Sequence, residues 1–300
     1  MKYIWIYLCL GGIFLCWGCQ KKKQNDLVLS VSVLRGPSAI AFAGWISDPP
    51  QLNGRRLSIE IVDSPDKIQA ALIKGETDIA VLPMISAANL YNKGIAYRLA
   101  GCPIWGTLYL VTCGAPQSIH LFAAGTTPDI LARHYLCQNE LSYPLVYTFS
   151  TPAEIFQGIR AGKVKTAVLS EPFLSKALQS DSTLTIWADL NQGGDSVPGF
   201  AQTAVLYHPS LQKEKRALDS LLQSTCQYAV GQPEEAIRTL ETHGVFPVGM
   251  LTPESIERCK IHYLPALQAE KSIYAFLELI QRYEPEAIGK KLPEKDFIAR

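Results

Sequence analysis

The sequence predicts an α/β protein of two lobes, each a mostly parallel sheet flanked by helices, joined by two interlobe crossings. Three observations carry that prediction. Short β-rich apolar runs alternate with amphipathic segments along the chain, the pattern of βαβ units. One strand–helix–strand unit recurs at a constant offset of 87 residues. Two further β-like runs, Thr107–Cys113 and Thr203–His208, bracket the second copy as an exit from one lobe and a return to it.

Taken in order, Leu27–Leu34 alternates strictly and reads as a strand. It runs through Arg35-Gly36-Pro37-Ser38 into an apolar, helix-like stretch, Ala39–Ile46. Leu57–Val62 is a second strand, and Asp66–Lys74 a helix with Ile68, Ala71 and Leu72 on one face. Asp78–Leu82 is a third strand, and Ser86–Tyr91 opens the next helix. The repeated unit occupies residues 59–85 and 146–172. Pro65 meets Pro152, Ile68 meets Ile155, Gly75 meets Gly162, and Ala80-Val81-Leu82 meets Ala167-Val168-Leu169. Proline suits the first helical turn and glycine the position just past the end, so both copies start and stop a helix alike. Two copies are too few for a solenoid and fit a pair of similar lobes. After His208 the pattern is helical, over Pro209–Val230, Pro233–His243, Pro253–Lys260 and Leu267–Tyr283. Residues 27–113 then begin lobe 1, 114–202 form lobe 2, and 203–300 supply the return strand and C-terminal helices of lobe 1. Such a chain leaves a cleft between its lobes, a common place for a ligand.

The N-terminus points to export. Lys2 precedes a short apolar run, Tyr3–Trp17, which is the pattern of a secretory signal and too short for a comfortable membrane span. Residues 19–26 (CQKKKQND) form a polar stalk that cannot pack a core. Gly18 stands directly before Cys19, and with Leu15 this flank resembles a bacterial lipoprotein signal, in which the cysteine is lipidated. Residues 1–18 are then the signal peptide and Cys19 the lipid anchor that ties the protein to a membrane at the periplasmic or cell-surface side. Cys16 and Trp17 are unusual occupants of that motif, and an ordinary cleaved signal or a permanent anchor are the alternatives.

Composition narrows the classes. The 300 residues are 48% hydrophobic and 18% charged, which excludes a disordered chain. The 28 Lys and Arg against 27 Asp and Glu form no basic block, so nothing points to nucleic acid. Loss of Lys2 with the signal leaves 27 of each sign, a neutral mature protein. Five cysteines remain beyond Cys19, namely Cys102, Cys113, Cys137, Cys226 and Cys259. An odd number leaves at least one unpaired in a monomer, and none has metal-ligand spacing. Most suit small buried positions; a Cys102–Cys113 bridge is an open alternative. The five histidines are scattered, and no nucleophile elbow or phosphate loop is present, so no catalytic residue, metal or cofactor is assigned.

Several segments together resemble a known family. These are LRGPSAIAF (34–42), KGETDIAVLPMISAANLYNKG (74–94), GTLYLV (106–111), GTTPDILARHYLCQNEL (125–141), AGKVKTAVLSEPFLSKAL (161–178) and GKKLPEKDFI (289–298). The chain from about 28 to 298 resembles a type II periplasmic solute-binding protein of an ABC importer, nearest the nitrate/sulfonate/taurine and thiamine-precursor group. The resemblance implies a monomer that closes its lobes on a small-molecule ligand and hands it to a separate permease and ATPase. It places the ligand against Gly36, Pro37, Ser38, Pro83, Met84, Ser86, Thr126, Thr127 and Glu171, with Trp105 and Thr107 on the hinge side. The ligand classes it suggests are a sulfonate or taurine-like solute and a thiamine-type vitamin precursor. The rival readings are an enzyme on the same fold, such as a menaquinone-pathway dehydratase or a thiamine-pyrimidine synthase, and a ligand sensor.

The residue chemistry refines this. Thr127-Pro128-Asp129 is a helix-start signal, and Ser38 and Ser86 are similarly placed. Helix starts carry unpaired N–H groups and favour an anion, although each hydroxyl is equally a cap for its own helix. Glu171, at a strand-to-helix turn, either meets a cationic group of the ligand or caps the following helix. Arg35 alone among the cleft loops is basic, which disfavours a doubly charged anion. Trp105 and Trp45 are candidates for stacking on a ring, or for the core.

Overall fold

The computed structural model describes residues 27–192 and 199–298. The expected signal peptide, stalk and Cys19 anchor lie outside the described residues. In chain order the strands are β1 (Val28–Leu34), β2 (Gln51–Leu52), β3 (Arg55–Val62), β4 (Ile79–Pro83), β5 (Arg98–Ile104) and β6 (Leu108–Thr112), then β7 (Ile119–Phe122), β8 (Leu145–Phe149), β9 (Thr166–Ser170), β10 (Thr185–Asp189), β11 (Thr203–Tyr207) and β12 (Ile261–Pro265). They form a seven-stranded sheet of order β12-β5-β11-β4-β1-β3-β2 and a five-stranded sheet of order β10-β6-β9-β7-β8. The five-strand run β5-β11-β4-β1-β3 of the first matches β10-β6-β9-β7-β8 of the second, position for position. The repeat seen in the sequence is therefore a repeat of whole sheets.

Local chemistry explains why the repeated units fold alike. Helix α3 (Pro65–Lys74) in the first copy answers the helix Pro152–Arg160 in the second. Ser64 accepts from the Asp66 amide at 3.2 Å and Thr151 from the Glu154 amide at 3.2 Å, so each helix start is capped by a hydroxyl. At the other ends Gly75 (φ 68°) and Gly162 (φ 66°) are left-handed, a conformation that only glycine adopts without strain. The apolar Ala-Val-Leu triplets that follow are buried in β4 and β9.

The two-lobed α/β architecture stands, and the pairing within it is more mixed than simple alternation predicts. β1 pairs in parallel with β3 and β4, and β7 with β8 and β9. β11 and β6 are antiparallel to their neighbours because each enters its sheet from the other lobe. β6 consequently belongs to the second sheet, so the first crossing falls at residues 105–107, ahead of the expected boundary at 113. The second crossing leads from β10 to β11.

The apolar run after β1 is broken at Phe42 into α1 (Pro37–Ala41) and α2 (Ala43–Ser47). β2 and β3 form a hairpin through Asn53 and Gly54, both at positive φ, as the Asn-Gly pair demands. Later helices are α4 (Met84–Asn92), α5 (Thr127–Gln138), α6 (Pro152–Arg160) and α7 (Phe173–Ser180), followed by α8 (Lys215–Gly231), α9 (Pro233–Thr242), α10 (Pro253–Arg258) and α11 (Glu270–Tyr283). β12 lies between α10 and α11 as the edge of the first sheet. One apolar cluster runs from lobe to lobe, joining Leu82 and Phe276 to Leu110, Ile130 and Leu131. Among the described residues no helix is long and apolar enough to cross a membrane.

The five cysteines among the described residues are free thiols. Cys102 is buried in β5 with its Sγ donating to the Ile104 carbonyl at 3.2 Å, and burial pushes its pKa up to about 12. Cys113 follows β6 in the other sheet, so the Cys102–Cys113 bridge does not form. At the first crossing, a Cβ on Gly106 would come within 2.6 Å of the Asn191 side chain and 2.8 Å of Lys260. Gly106→Ala is expected to destabilise the protein by about 1–3 kcal/mol, read as a lower midpoint in urea.

Candidate functional site

The cleft forms where matched ends of the two sheets face one another, the usual place for ligands in open α/β sheets. It encloses about 210 Å³. Leu34, Arg35, Pro37 and Ser38, at the turn from β1 into α1, face Phe122, Thr127 and Pro128, at the turn from β7 into α5. Pro83 at the end of β4 has its counterpart in Ser170 at the end of β9. Thr203 opens β11 and Leu108 opens β6, and each lines the cleft with the residue before it, Gln202 and Thr107. Both crossings thus supply side chains to the floor of the site.

Of the expected site residues, the structure brings together Pro37, Ser38, Pro83, Thr107 and Thr127. The others take different positions. Gly36 (φ 115°) makes the turn into α1. Met84 is fully buried with its amide donating to the Gln202 carbonyl at 2.9 Å, and Ser86 is half-buried one turn into α4. The Thr126 hydroxyl donates to the Ala123 carbonyl instead of capping α5. Trp105 is fully buried, with Nε1 donating to the His262 carbonyl at 2.7 Å. Trp45 packs edge-on against Phe42 with ring centroids 4.9 Å apart. Both indoles are core, which removes the expected aromatic stack on the ligand. Leu34, Leu108, Phe122, Pro128, Ser170, Gln202 and Thr203 line the cleft and were not anticipated. Gln202 and Thr203 were findable, since they begin the return strand as Thr107 and Leu108 begin the outgoing one.

Glu171 is the largest departure from expectation. Its side chain is fully buried, away from the cleft. Oε2 accepts from the Ser175 amide at 3.1 Å and Oε1 from the Ser175 hydroxyl at 3.0 Å, which caps α7. Arg258, at the end of α10 in lobe 1, donates to Oε1 at 2.6 Å. Burial pushes the carboxyl up, while Arg258 and Ser175 pull it back. Tyr109 from β6 donates to the Arg258 carbonyl at 2.9 Å, and Lys260 pairs with Asp189 at 2.7 Å. On the other flank Arg133 of α5 bonds the Tyr283 carbonyl at 3.0 Å and Glu284 at 3.3 Å. Charge therefore clamps the lobes together outside the cleft.

Inside the cleft the balance is different. Arg35 alone is charged among the described lining residues, and its guanidinium is committed to Asp63 and to the Val245 carbonyl. The Arg35 guanidinium in turn holds the Asp63 carboxyl below the usual carboxylate range. The remaining polar lining is hydroxyl and amide. Neither α4 nor α5 is capped by a side chain, so first-turn N–H groups at both starts lack a side-chain acceptor. A second cavity of about 230 Å³, between α8 and β12, is lined by Cys226, Val230 and Tyr263 among others and involves neither crossing. No group of His, Cys, Asp or Glu among the described residues could hold a metal ion.

No family model matches the sequence, and neither does any curated protein. Solved structures do. A crystal structure of an ABC transporter from Parabacteroides distasonis is 56% identical, with a TM-score of 0.89, covering 92% of this chain and 99% of that one. The periplasmic aliphatic sulphonate binding protein SsuA from Escherichia coli is 16% identical, covering 89% of this chain and 92% of that one, with a TM-score of 0.66. The alkanesulfonate-binding protein SsuA from Xanthomonas axonopodis pv. citri, bound to MOPS, is 19% identical, with 91% and 96% covered and a TM-score of 0.61. At these lower identities the likeness is one of fold.

The buried Glu171–Arg258 pair yields a test that is independent of any ligand. Arg258→Ala strands a buried carboxylate and is expected to cost about 3–5 kcal/mol. With its partner gone, the carboxyl binds a proton more tightly folded than unfolded. The deficit should therefore shrink as pH falls from the raised folded-state pKa toward the ordinary value of 4.5. Urea unfolding of both proteins across that range checks the sign; a deficit that widens on acidification contradicts it.

Proposed function

This chain belongs to the solute-binding proteins of ABC transporters, and from that membership we propose that it captures a small organic solute in the interlobe cleft and presents it to a permease. The chain is read as a binding component and not an enzyme, in line with the sulfonate-binding names of two structural relatives. Transport then requires a separate permease and ATPase. The observation that carries the reading is the cleft itself, lined from both lobes by matching strand ends and helix starts. A ligand that touches both lobes shifts them toward closure by its differential affinity for that state.

The lining selects the class of solute. With its one cation already paired to Asp63, the cleft offers hydroxyls, an amide and helix-start N–H groups to an acid head. Asp129, buried in the first turn of α5 and paired to Arg133, limits how much negative charge that end tolerates. A singly charged sulfonate of the taurine type fits this better than a dianion, and the sulfonate-binding names of the structural neighbours point the same way. A thiamine-type precursor is the neutral alternative, favoured by the apolar wall of Leu34, Leu108 and Phe122.

In this reading the protein acts as a monomer held to a membrane, on the periplasmic or cell-surface side, by a lipid on Cys19. Two acyl signals are needed for stable attachment, as lipoprotein processing supplies. Cys19→Ser is expected to move the protein from the membrane fraction to the soluble one, with no acyl mass on the N-terminal peptide.

For the ligand, mass spectrometry of the solute that co-purifies with the protein is the direct test. Ser38→Ala and Thr127→Ala should each weaken its binding about 2–10-fold, the worth of one hydrogen bond, with unchanged thermal unfolding. Trp105→Ala should instead unfold the protein. Undiminished affinity in both hydroxyl variants would remove the cleft from consideration.

A further inference from the structure

Asn191 lies fully buried between the two crossings, behind Thr107 and Gln202, which line the cleft. Its Oδ1 accepts from the Thr107 amide at 2.9 Å and from the Leu108 amide at 3.0 Å. A backbone N–H only donates, so these two bonds identify that atom as oxygen and leave Nδ2 to donate. Nδ2 does so, to the Leu108 carbonyl at 2.9 Å and to Asp189 at 2.6 Å.

The consequence passes to Gln202. The group that reaches Asn191 Oδ1 from Gln202 must be a donor, and it is Nε2, at 2.8 Å. Gln202 Oε1 then faces Thr107, whose hydroxyl donates to it at 3.2 Å. A hydroxyl has one proton and two lone pairs. With the proton used on Gln202, Thr107 has only lone pairs left for the cleft that it and Gln202 line.

We propose that this relay sets the specificity of the cleft: Asn191 orients Gln202, Gln202 orients the Thr107 hydroxyl, and Thr107 selects solutes carrying a hydrogen-bond donor. The proposal rests on the solute-binding reading and sharpens it. The solute bears its acid head at the helix starts and a hydroxyl or amino group at the hinge, so a bare alkyl sulfonate is a poor fit. Asn191 is a positioning residue, and Thr107 is the residue that touches ligand. Burial makes the discrimination strong, because a solute without a donor leaves the Thr107 oxygen desolvated and unpaired.

Three probes of nearly equal size and one headgroup test it: aminoethanesulfonate, hydroxyethanesulfonate and ethanesulfonate, titrated calorimetrically into the purified protein. Wild type should bind one or both donor-bearing probes at least about tenfold more tightly than ethanesulfonate. Thr107→Val should bring their affinity down to that of ethanesulfonate, and Thr107→Ser should retain the preference. Asn191→Ala should bring the ratio of donor-bearing to ethanesulfonate affinity toward one, whatever its effect on affinity as a whole, a loss of discrimination that a merely structural role would not produce. If Asn191→Ala fails to fold, the Thr107 pair decides alone. Equal affinity of wild type for all three probes overturns the relay and leaves the solute-binding reading standing. Binding of none of them overturns both the sulfonate class and the relay.

Discussion

The structure depends on how two chain crossings are buried without leaving backbone polar groups unpaired. A strand that leaves one sheet and enters another interrupts its ladder, and the freed N–H and C=O groups need partners. Here the Asn191 side chain acts in place of a neighbouring strand. It takes up the amides of Thr107 and Leu108 and the carbonyl of Leu108, and Asp189 and Gln202 hold it in turn. Gly106 permits the approach, since a Cβ there would strike Asn191. Because Thr107 and Gln202 belong both to the crossings and to the floor of the cleft, the requirement that makes the crossing stable also sets the polarity of what faces the cleft.

Around that hinge the two lobes repeat one design. Five strands of one sheet answer five of the other in the same order, and the β1–α1 and β7–α5 turns meet across the cleft. Each contributes a proline at the helix start and a hydroxyl beside it, Ser38 on one side and Thr127 on the other. The repeat breaks at the turns after β4 and β9. Pro83 leads directly into α4, whereas Glu171 and Pro172 precede α7 and send a carboxylate to Arg258 on the far side. The lobes are alike where they line the cleft and different where they hold each other.

Charge is distributed accordingly. Ion pairs at Glu171–Arg258, Asp189–Lys260 and Arg133–Glu284 link the lobes on the flanks, while among the described residues the cleft keeps one arginine and pairs it internally. A binding site built from hydroxyls, an amide and helix starts suits a solute of low charge, and shape and hydrogen-bond direction then carry specificity that a formal charge would otherwise supply.

The sequence by itself determined the local units and their duplication. Alternation marked β1, a short apolar run marked β4, and the Ser/Thr-Pro starts and Gly stops marked α3 and α6, because these signals act within one turn or one strand of their own residue. From the repeat came the two lobes and the cleft between them, and from the family resemblance came Pro37, Ser38, Pro83, Thr107 and Thr127 at that cleft. What only the tertiary structure decided was the partner of each polar side chain. Glu171 meets Arg258 across 87 residues of chain, and Thr107 meets Asn191 across 84. Neither pairing leaves a periodicity, since the geometry that joins them arises from two sheets folding against one another and not from neighbours along the chain. Trp105 went to the core for the same reason, as its indole finds the His262 carbonyl on β12, an edge strand without a strong pattern of its own.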